Sequence, residues 1–275
     1  MLNNHENLKN NSFFSNRLEK EKEPRKVIVF IRHPEQDFKV KQSMRLAKDG
    51  EDINTYSLIT ANGLKQLRQL SEYLEKDFPW KISDREYSIY SSPIKRAQRG
   101  ADILETNIRL KIADGIKIPI PVNNNRNILE CFSEIIFATD IATDEDIIRR
   151  AKMRKIKVVD AWLDMEGENL LPRFQNKLND IREGFFYLEQ QPTKLDIVLS
   201  HGLTIATIIW TAQNPEKFKN IEYKLTMNDL KEIVNYSKNI PCTSITEFSI
   251  DDNGISLDKI GETPHLKKEN NETII

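Results

Sequence analysis

Two short apolar runs most constrain the fold of this chain. KVIVFIR occupies residues 26–32 and KLDIVL occupies residues 194–199, and both contain isoleucine and valine. Runs of this length are typical of strands that are buried on both faces of a parallel sheet. Strand-like pieces such as residues 87–90 (YSIY) alternate with segments whose apolar residues repeat at helical spacing. This alternation predicts an α/β fold with a doubly wound, mostly parallel sheet flanked by helices.

The helical segments carry start signals. Thr60 is the predicted N-cap of a helix over residues 60–76. Residues 91–93 (SSP) predict the start of a second helix, with a serine cap and a proline in the first turn. A turn at residues 251–254, between two strand-like runs, predicts a closing hairpin. The first helix has an apolar stripe at helical spacing, formed by Leu64, Leu67, Leu70 and Leu74.

The charge balance and the cysteine count restrict the class of protein. The 275 residues include 41 Lys plus Arg and 42 Asp plus Glu. This balance provides no overall attraction to nucleic acid or to an anionic membrane, so neither is expected as a partner. The apolar runs are too short to span a bilayer. Two cysteines cannot form a disulfide framework, and the N-terminal residues have no apolar signal-peptide core, so a cytoplasmic location is expected.

The first residues differ in composition from the remainder of the chain. Residues 1–25 are rich in Asn, Lys and Glu and lack apolar periodicity, which predicts a flexible polar tail. Residues 26–270 have the length and the apolar content of a single domain with a sizeable core. The sequence indicates no particular oligomeric state.

Three predicted strand ends carry polar residues of one chemical kind. Arg32 and His33 follow the first strand, Arg96 lies in the first turn of the helix after the second, and His201 follows the strand at residues 194–199. Ligands of open α/β sheets bind beyond the carboxyl ends of the strands. Guanidinium groups and helix N-termini both suit phosphate oxygens. The sequence therefore predicts a pocket for a compact dianion such as a phosphoryl group.

Each of these residues also has an ordinary structural interpretation. An Arg-His dipeptide is common, a histidine after a strand is more often a hydrogen-bonded structural residue, and an arginine on a helix is usually solvated. The conjunction of all four groups at three strand ends favours the phosphate site. Of the other two histidines, His265 is expected to have a structural role and His5 lies in the tail.

Seven segments in a fixed order carry a resemblance to a known family. They are VIVFIRHPEQ, LITANGLKQLRQLSEYL, IYSSPIKRAQRGADIL, ILECFSE, GEN, DIVLSHGLTI and TSITEFSIDDNGISLDKIGETPHL. In this order they resemble the signature segments of the histidine phosphatase superfamily, also called the phosphoglycerate mutase-like family. The resemblance extends from about residue 26 to residue 266. It implies a phosphoglycerate mutase-like fold and a catalytic domain over residues 26–270.

The resemblance also implies roles for the residues at the strand ends. His33 is the implied nucleophile, which would form a covalent phosphohistidine. Arg32, Arg96 and His201 would bind the phosphoryl oxygens, and His201 would act in catalysis as well. This chemistry needs neither a metal nor another cofactor, and the sequence contains no metal-ligand cluster.

The acid/base carboxylate is less closely determined. The resemblance places it at Glu130, in the ILECFSE segment. Glu134 is a rival in the same segment, and Glu35 is a third candidate next to the nucleophile. Such a group would protonate the leaving alkoxide and then deprotonate the attacking water.

The chain departs from the family pattern at several positions. Pro34 stands where the signature has glycine after the Arg-His pair, and Gly100 stands where it has threonine. Proline lacks a backbone N–H, so one backbone contact to phosphate is lost. The polar group that often follows the nucleophile has three candidates, Lys39, Lys41 and Gln42.

The expected function is a metal-independent phosphatase that hydrolyses phosphomonoesters through a phosphohistidine. The expected substrate is a small phosphorylated compound, with a phosphoprotein as a further candidate. One alternative is a phosphoglycerate mutase-type phosphoryl transferase, although the stretch DFKVKQSMRLAKDGEDINTYSL does not match the corresponding stretch of such mutases. Another alternative is a catalytically weak pseudoenzyme that binds phosphate or a protein.

Overall fold

The computed structural model describes residues 25–35, 59–79, 87–114, 127–134, 144–251 and 254–266. Within these ranges, six strands form one sheet. The strands are β1 (Lys26–Arg32), β2 (Tyr87–Ser91), β3 (Asn127–Ile128), β4 (Leu195–Ser200), β5 (Ile245–Asp251) and β6 (Gly254–Glu262). The helices are α1 (Ala61–Lys76), α2 (Lys95–Asp114), α3 (Asp144–Arg154), α4 (Val158–Glu166), α5 (Leu171–Gln190), α6 (Gly202–Gln213), α7 (Pro215–Lys219) and α8 (Met227–Ser237).

The sheet is mixed, with a parallel majority. Its strands lie in the order β3-β2-β4-β1-β5-β6. The pairs β3–β2, β2–β4 and β4–β1 are parallel, whereas β1–β5 and the hairpin β5–β6 are antiparallel. The predicted doubly wound, mostly parallel sheet is confirmed, and so is the closing hairpin.

Alternate residues of β1 point into two separate apolar clusters. Ile28 and Phe30 pack with residues of α5, α6 and α8 on one face of the sheet. Val27, Val29 and Ile31 pack with residues of α1 and α2 on the other face. All five side chains are at most 1% exposed. Because both faces of β1 are covered, its sequence is continuously apolar rather than alternating.

Helix α1 begins where the sequence predicts. The Thr60 hydroxyl accepts a hydrogen bond from the backbone N–H of Gly63 at 2.9 Å, as an N-cap residue does. The predicted stripe is wrong at one position: Leu64 is 47% exposed, whereas the leucines at 67, 70 and 74 are fully buried. Gly63 is buried instead, and a side chain does not fit there because a Cβ would lie 2.4 Å from the carbonyl oxygen of Glu35.

Helix α2 begins later than predicted. Its first residue is Lys95, so Pro93 precedes the helix rather than lying in its first turn. The Ser92 hydroxyl accepts the backbone N–H of Ile94 at 3.2 Å, within the bend that leads into α2. Arg96 is in the first turn of the helix, as expected.

Some predicted features lie outside the described residues. These are the polar tail apart from Arg25, and the stretch from residue 36 to residue 58, which includes Lys39, Lys41 and Gln42. The single domain over residues 26–270 stays a prediction. None of the helices in the described ranges is both long enough and apolar enough to cross a membrane.

Candidate active site

The carboxyl end of β4 brings the three predicted strand ends together. Strand β4 lies between β1 and β2, with Ser200 paired to Arg32. The backbone N–H of His33 donates to the carbonyl of Ser200 at 2.9 Å, and that of Ser92 donates to Leu199 at 2.9 Å. The residues that follow β1 and those that follow β2 therefore lie on the two sides of the β4–α6 junction.

Two buried imidazoles face each other at this point. The ring centroids of His33 and His201 are 5.3 Å apart, and the rings are tilted by 54°. His33 is 7% exposed and His201 is fully buried. The Nε2 atom of His201 is 2.7 Å from the hydroxyl oxygen of Ser92. Sequence analysis assigned Ser92 only to a helix start, and its spacing from the strand gave no signal for this second contact.

The His33 ring has a defined proton position. Its Nδ1 atom is 2.9 Å from the carbonyl oxygen of Pro34. A carbonyl oxygen only accepts hydrogen bonds, so Nδ1 carries the hydrogen and donates it. In a neutral imidazole with this tautomer, the lone pair is on Nε2.

The surroundings of His33 favour its neutral form. Its pKa lies well below the ordinary value of 6.5, first because the ring is buried, and then because of electrostatic interactions with Arg96, His201 and Arg32. The hydrogen bond to the Pro34 carbonyl acts in the opposite direction and is the smallest of these effects. A neutral histidine is nucleophilic, whereas a protonated one is not.

The two arginines are held differently. Arg96 is 7% exposed, and its guanidinium forms an ion pair with the carboxylate of Glu134. Arg32 donates from Nη1 to the carbonyl oxygen of Ile240. A Cβ at Gly202 would lie 3.4 Å from the Cζ atom of Arg32, so the guanidinium passes close to the start of α6.

The structure separates the three candidate carboxylates. Glu134 contacts Arg96, whereas Glu130 is exposed at the start of a 3-10 turn. Glu35 is bound to the start of α1, where its carboxylate accepts from Thr60 at 3.3 Å and from Asn62 at 2.6 Å. The site residues predicted at the strand ends thus lie together. Of the three carboxylates, Glu134 is the one in contact with Arg96, a residue that is predicted to bind phosphate.

The segment that carries Glu130 and Glu134 is tied to the core by a buried lysine. Lys177 is 5% exposed, and its Nζ donates to the hydroxyl of Ser133 at 2.9 Å and to the carbonyl of Cys131 at 3.3 Å. Thr204 donates to the carbonyl of Ser133 at 2.7 Å. Sequence analysis missed Lys177, although its position within the apolar stripe of α5 is a signal that could have identified it.

A family comparison agrees with this geometry. Residues 28–117 match the model of the histidine phosphatase superfamily, branch 1. The match covers about a third of the chain. It contains Arg32, His33 and Arg96, and His201 lies beyond its end. The resemblance seen in the sequence is therefore confirmed. A search of curated proteins found no match.

Solved structures of histidine phosphatase-like proteins resemble this chain. The alpha-ribazole phosphatase from Shigella flexneri is 15% identical with a TM-score of 0.50, over 86% of this chain and 96% of that one. A phosphoglycerate mutase from Bacillus anthracis is 13% identical with a TM-score of 0.49, over 87% and 94%. A phosphoserine phosphatase from Entamoeba histolytica is 19% identical with a TM-score of 0.46, over 88% and 99%. The predicted phosphoglycerate mutase-like fold is confirmed.

A third histidine of the described residues, His265, supports the backbone behind Arg32. The Nε2 atom of His265 is 3.1 Å from the hydroxyl oxygen of Thr243, and the backbone N–H of Thr243 donates to the carbonyl of Arg32 at 3.0 Å. Burial lowers the pKa of His265 to about 4, so its ring is neutral. These contacts agree with the structural role expected for it.

The described residues offer no metal centre. Within the ranges that the structure describes, no group of three or more His, Cys, Asp or Glu side chains is arranged to hold a metal ion.

Proposed function

We propose that this chain is a metal-independent phosphatase that hydrolyses phosphomonoesters through a phosphohistidine at His33. One observation carries the proposal: a buried, neutral His33 ring donates from Nδ1 to the Pro34 carbonyl and lies among three positively charged or protonatable groups. This arrangement directs the lone pair of Nε2 toward an electrophile and surrounds it with partners for an anion.

The first step transfers the phosphoryl group to the enzyme. The Nε2 lone pair of His33 forms a bond to phosphorus while the ester P–O bond breaks, and the leaving alkoxide takes a proton from a carboxylic acid. In the second step, that carboxylate removes a proton from water. The water oxygen then bonds to phosphorus and the P–N bond breaks, which releases inorganic phosphate and restores neutral His33.

Charge is stabilised by groups on three elements. In this proposal, Arg32 at the end of β1, Arg96 on α2 and His201 before α6 bind the phosphoryl oxygens. Charge on these oxygens changes during transfer, so preorganised donors there lower the barrier. Because Glu134 already occupies the guanidinium of Arg96, an incoming phosphoryl group would replace or share this contact.

The first test is loss of the nucleophile. We expect His33→Ala to lower the hydrolysis of p-nitrophenyl phosphate about a thousandfold or more, since removal of a covalent nucleophile eliminates the two-step route. Rapid alkaline quenching of wild type with radiolabelled substrate should trap an acid-labile, base-stable phosphoenzyme that His33→Ala lacks.

The matched control is His5→Ala, which changes a histidine of the N-terminal tail and should retain both activity and trapping. Hydrolysis must also persist in the presence of EDTA. Equal rates for wild type and His33→Ala would overturn the proposal.

A second test identifies the acid/base carboxylate. Loss of a general acid slows the release of a poor leaving group more than that of a good one. We expect the correct variant, either Glu130→Gln or Glu134→Gln, to lose about 100-fold or more with an alkyl phosphate but much less with p-nitrophenyl phosphate. The other variant then serves as the matched control. If neither variant distinguishes the two leaving groups, the acid lies elsewhere.

Two observations favour a second candidate function, a pseudoenzyme that binds phosphate or a protein. The Arg96–Glu134 ion pair occupies part of the predicted phosphate site, and proline follows the implied nucleophile. Phosphate binding by calorimetry, without turnover or a trapped phosphoenzyme, would support this function.

Conversion of 3- to 2-phosphoglycerate faster than hydrolysis would instead support a mutase. A panel of small phosphomonoesters and phosphopeptides would define the substrate.

A further inference from the structure

Gly100, on the inner face of α2, is packed against the residue that follows the nucleophile. A Cβ built at Gly100 would lie 2.9 Å from the Cδ atom of Pro34 and 3.0 Å from the Cδ2 atom of Leu199. Carbon atoms do not approach this closely without displacement. Glycine destabilises a helix interior relative to alanine, so its presence in α2 needs a reason other than helix formation. The close approach of the Pro34 ring supplies that reason.

Pro34 is held from both sides along the chain. On its N-terminal side, the backbone N–H of His33 is bonded to Ser200 at the end of β4. On its C-terminal side, the backbone N–H of Glu35 donates to the side chain of Gln66 at 3.2 Å, and the carbonyl of Glu35 accepts from Thr60 at 3.2 Å. The proline ring fixes φ at this position. These hydrogen bonds and the fixed φ hold the proline ring against Gly100.

The carbonyl group of Pro34 is the hydrogen-bond acceptor of the His33 ring, at 2.9 Å from Nδ1. A side chain at position 100 would push the Pro34 ring away from α2. The peptide group that carries this carbonyl would move with the ring, because the ring and the backbone are covalently one unit. By this chain of contacts, the absence of a side chain at position 100 would affect the orientation and the tautomer of His33.

The two departures from the family pattern are consequently one feature. Pro34 replaces glycine and Gly100 replaces threonine, and the structure places the two positions in direct contact. We infer that Pro34 and Gly100 are a coupled pair of positioning residues that set the His33 imidazole for attack. In this chain the side-chain bulk at the contact comes from the Pro34 ring in the loop and not from position 100 on the helix. The inference rests on the proposed role of His33.

A double-mutant cycle tests the coupling. Gly100→Thr should lower the rate of phosphoenzyme formation about 100-fold, since a displacement of the order of 1 Å at a reacting group has an effect of this size. Pro34→Gly alone should lower it about tenfold, because the loop loses its fixed φ. The Pro34→Gly/Gly100→Thr variant should recover to within a few-fold of the better single variant or above it. Gly100→Ala provides a milder version if the threonine variant does not fold.

A matched control uses another crowded helix glycine. A Cβ at Gly184 of α5 would lie 2.5 Å from Cζ of Phe132 and 2.7 Å from Sγ of Cys131, away from Pro34. Pro34→Gly should not rescue Gly184→Ala. The inference would be overturned if the two rate decreases multiplied in the Pro34→Gly/Gly100→Thr variant. It would also be overturned if Gly100→Thr formed the phosphoenzyme at the wild-type rate.

A spectroscopic readout separates this inference from the proposed function. ¹⁵N NMR of the imidazole nitrogens reports whether the hydrogen of His33 is on Nδ1, and it does not require turnover. We expect the Nδ1–H tautomer in wild type and in the double variant, and a mixture of tautomers in Gly100→Thr. If wild type hydrolyses nothing but shows this pattern, the proposed function fails and the coupling stands. If hydrolysis is present and all variants share one tautomer, the coupling fails alone.

Discussion

At the scale of single residues, His33 shows how burial and charge determine chemistry. Its ring lies among Arg32, Arg96 and His201, and all of these disfavour a further positive charge. Desolvation by the protein acts in the same direction and is the largest cause of the lowered pKa. The surroundings of His33 thus favour its neutral form and at the same time bring donors for an anion close to it.

This arrangement predicts an unusual acid limb in the pH profile. The folded-state pKa of His33 lies well below 6.5, so its ring stays neutral until the pH falls well below that value. After correction for the second ionisation of the substrate phosphate, near pH 6, kcat/KM should not decline at pH 6.5 with the ordinary titration of histidine. Steady-state rates from pH 4 to 8 check this. An enzyme limb at pH 6.5 that is assigned to His33 by NMR would contradict it.

The same pKa shift affects stability with a definite sign. The unfolded chain binds a proton to His33 below pH 6.5, whereas the folded chain does so only at lower pH. The stability of the fold therefore decreases as the pH falls from 6.5 toward the folded-state pKa. His265, with a pKa of about 4, contributes to acid sensitivity in the same direction.

At the scale of elements, the short segment from residue 129 to residue 134 depends on its neighbours. Its backbone carbonyls accept from Lys177 on α5, from Thr204 on α6 and from Ser200 of β4. Both candidate carboxylates of ILECFSE, Glu130 and Glu134, lie on this segment. The position of either carboxylate is thus fixed from outside the segment.

Replacement of the buried lysine tests this dependence. Lys177→Met keeps an apolar stem of similar length and removes both hydrogen bonds to Cys131 and Ser133. We expect kcat with an alkyl phosphate to fall about tenfold, because the acid/base carboxylate is no longer held in place, while phosphate affinity changes little.

The control for Lys177→Met is Asp180→Asn. It removes the ion pair between Lys177 and Asp180, at 3.0 Å, whose aspartate side chain is 45% exposed. Because the aspartate faces solvent, which screens its charge, the pair contributes little even though Lys177 is buried, so the kcat of Asp180→Asn should match that of wild type. Unchanged kcat in Lys177→Met would refute the dependence.

At the scale of the whole molecule, the residues of the candidate site are easier to predict from the sequence than the order of the strands in the sheet. Residues such as Arg32 and His201 follow buried apolar runs directly, so their place at the strand ends is predictable from local pattern. The insertion of β4 between β1 and β2 is not predictable in this way, because no local signal in the sequence specifies which strands pair. The exposure of Leu64 and the approach of the Glu35 carbonyl to its neighbour Gly63 likewise have no local signal in the sequence.

The carboxylates show the same limit. Glu130 and Glu134 are four residues apart in one short segment, and neither lies on a long periodic element. Their separation into an exposed group and a partner of Arg96 results from contacts with α5, α6 and β4. The Pro34–Gly100 contact also depends on tertiary packing. Both departures from the family pattern are visible in the sequence, but the sequence does not show that the two residues touch.

The central position of β4 has a consequence for biosynthesis. Strands β1 and β2 do not pair with each other, since β4 separates them. A nascent chain that has exposed only its first half therefore has both arginines and His33 but no surface on which to align them. Arg32, His33 and Arg96 can be brought together beside β4 only after residue 200 has left the ribosome, late in translation.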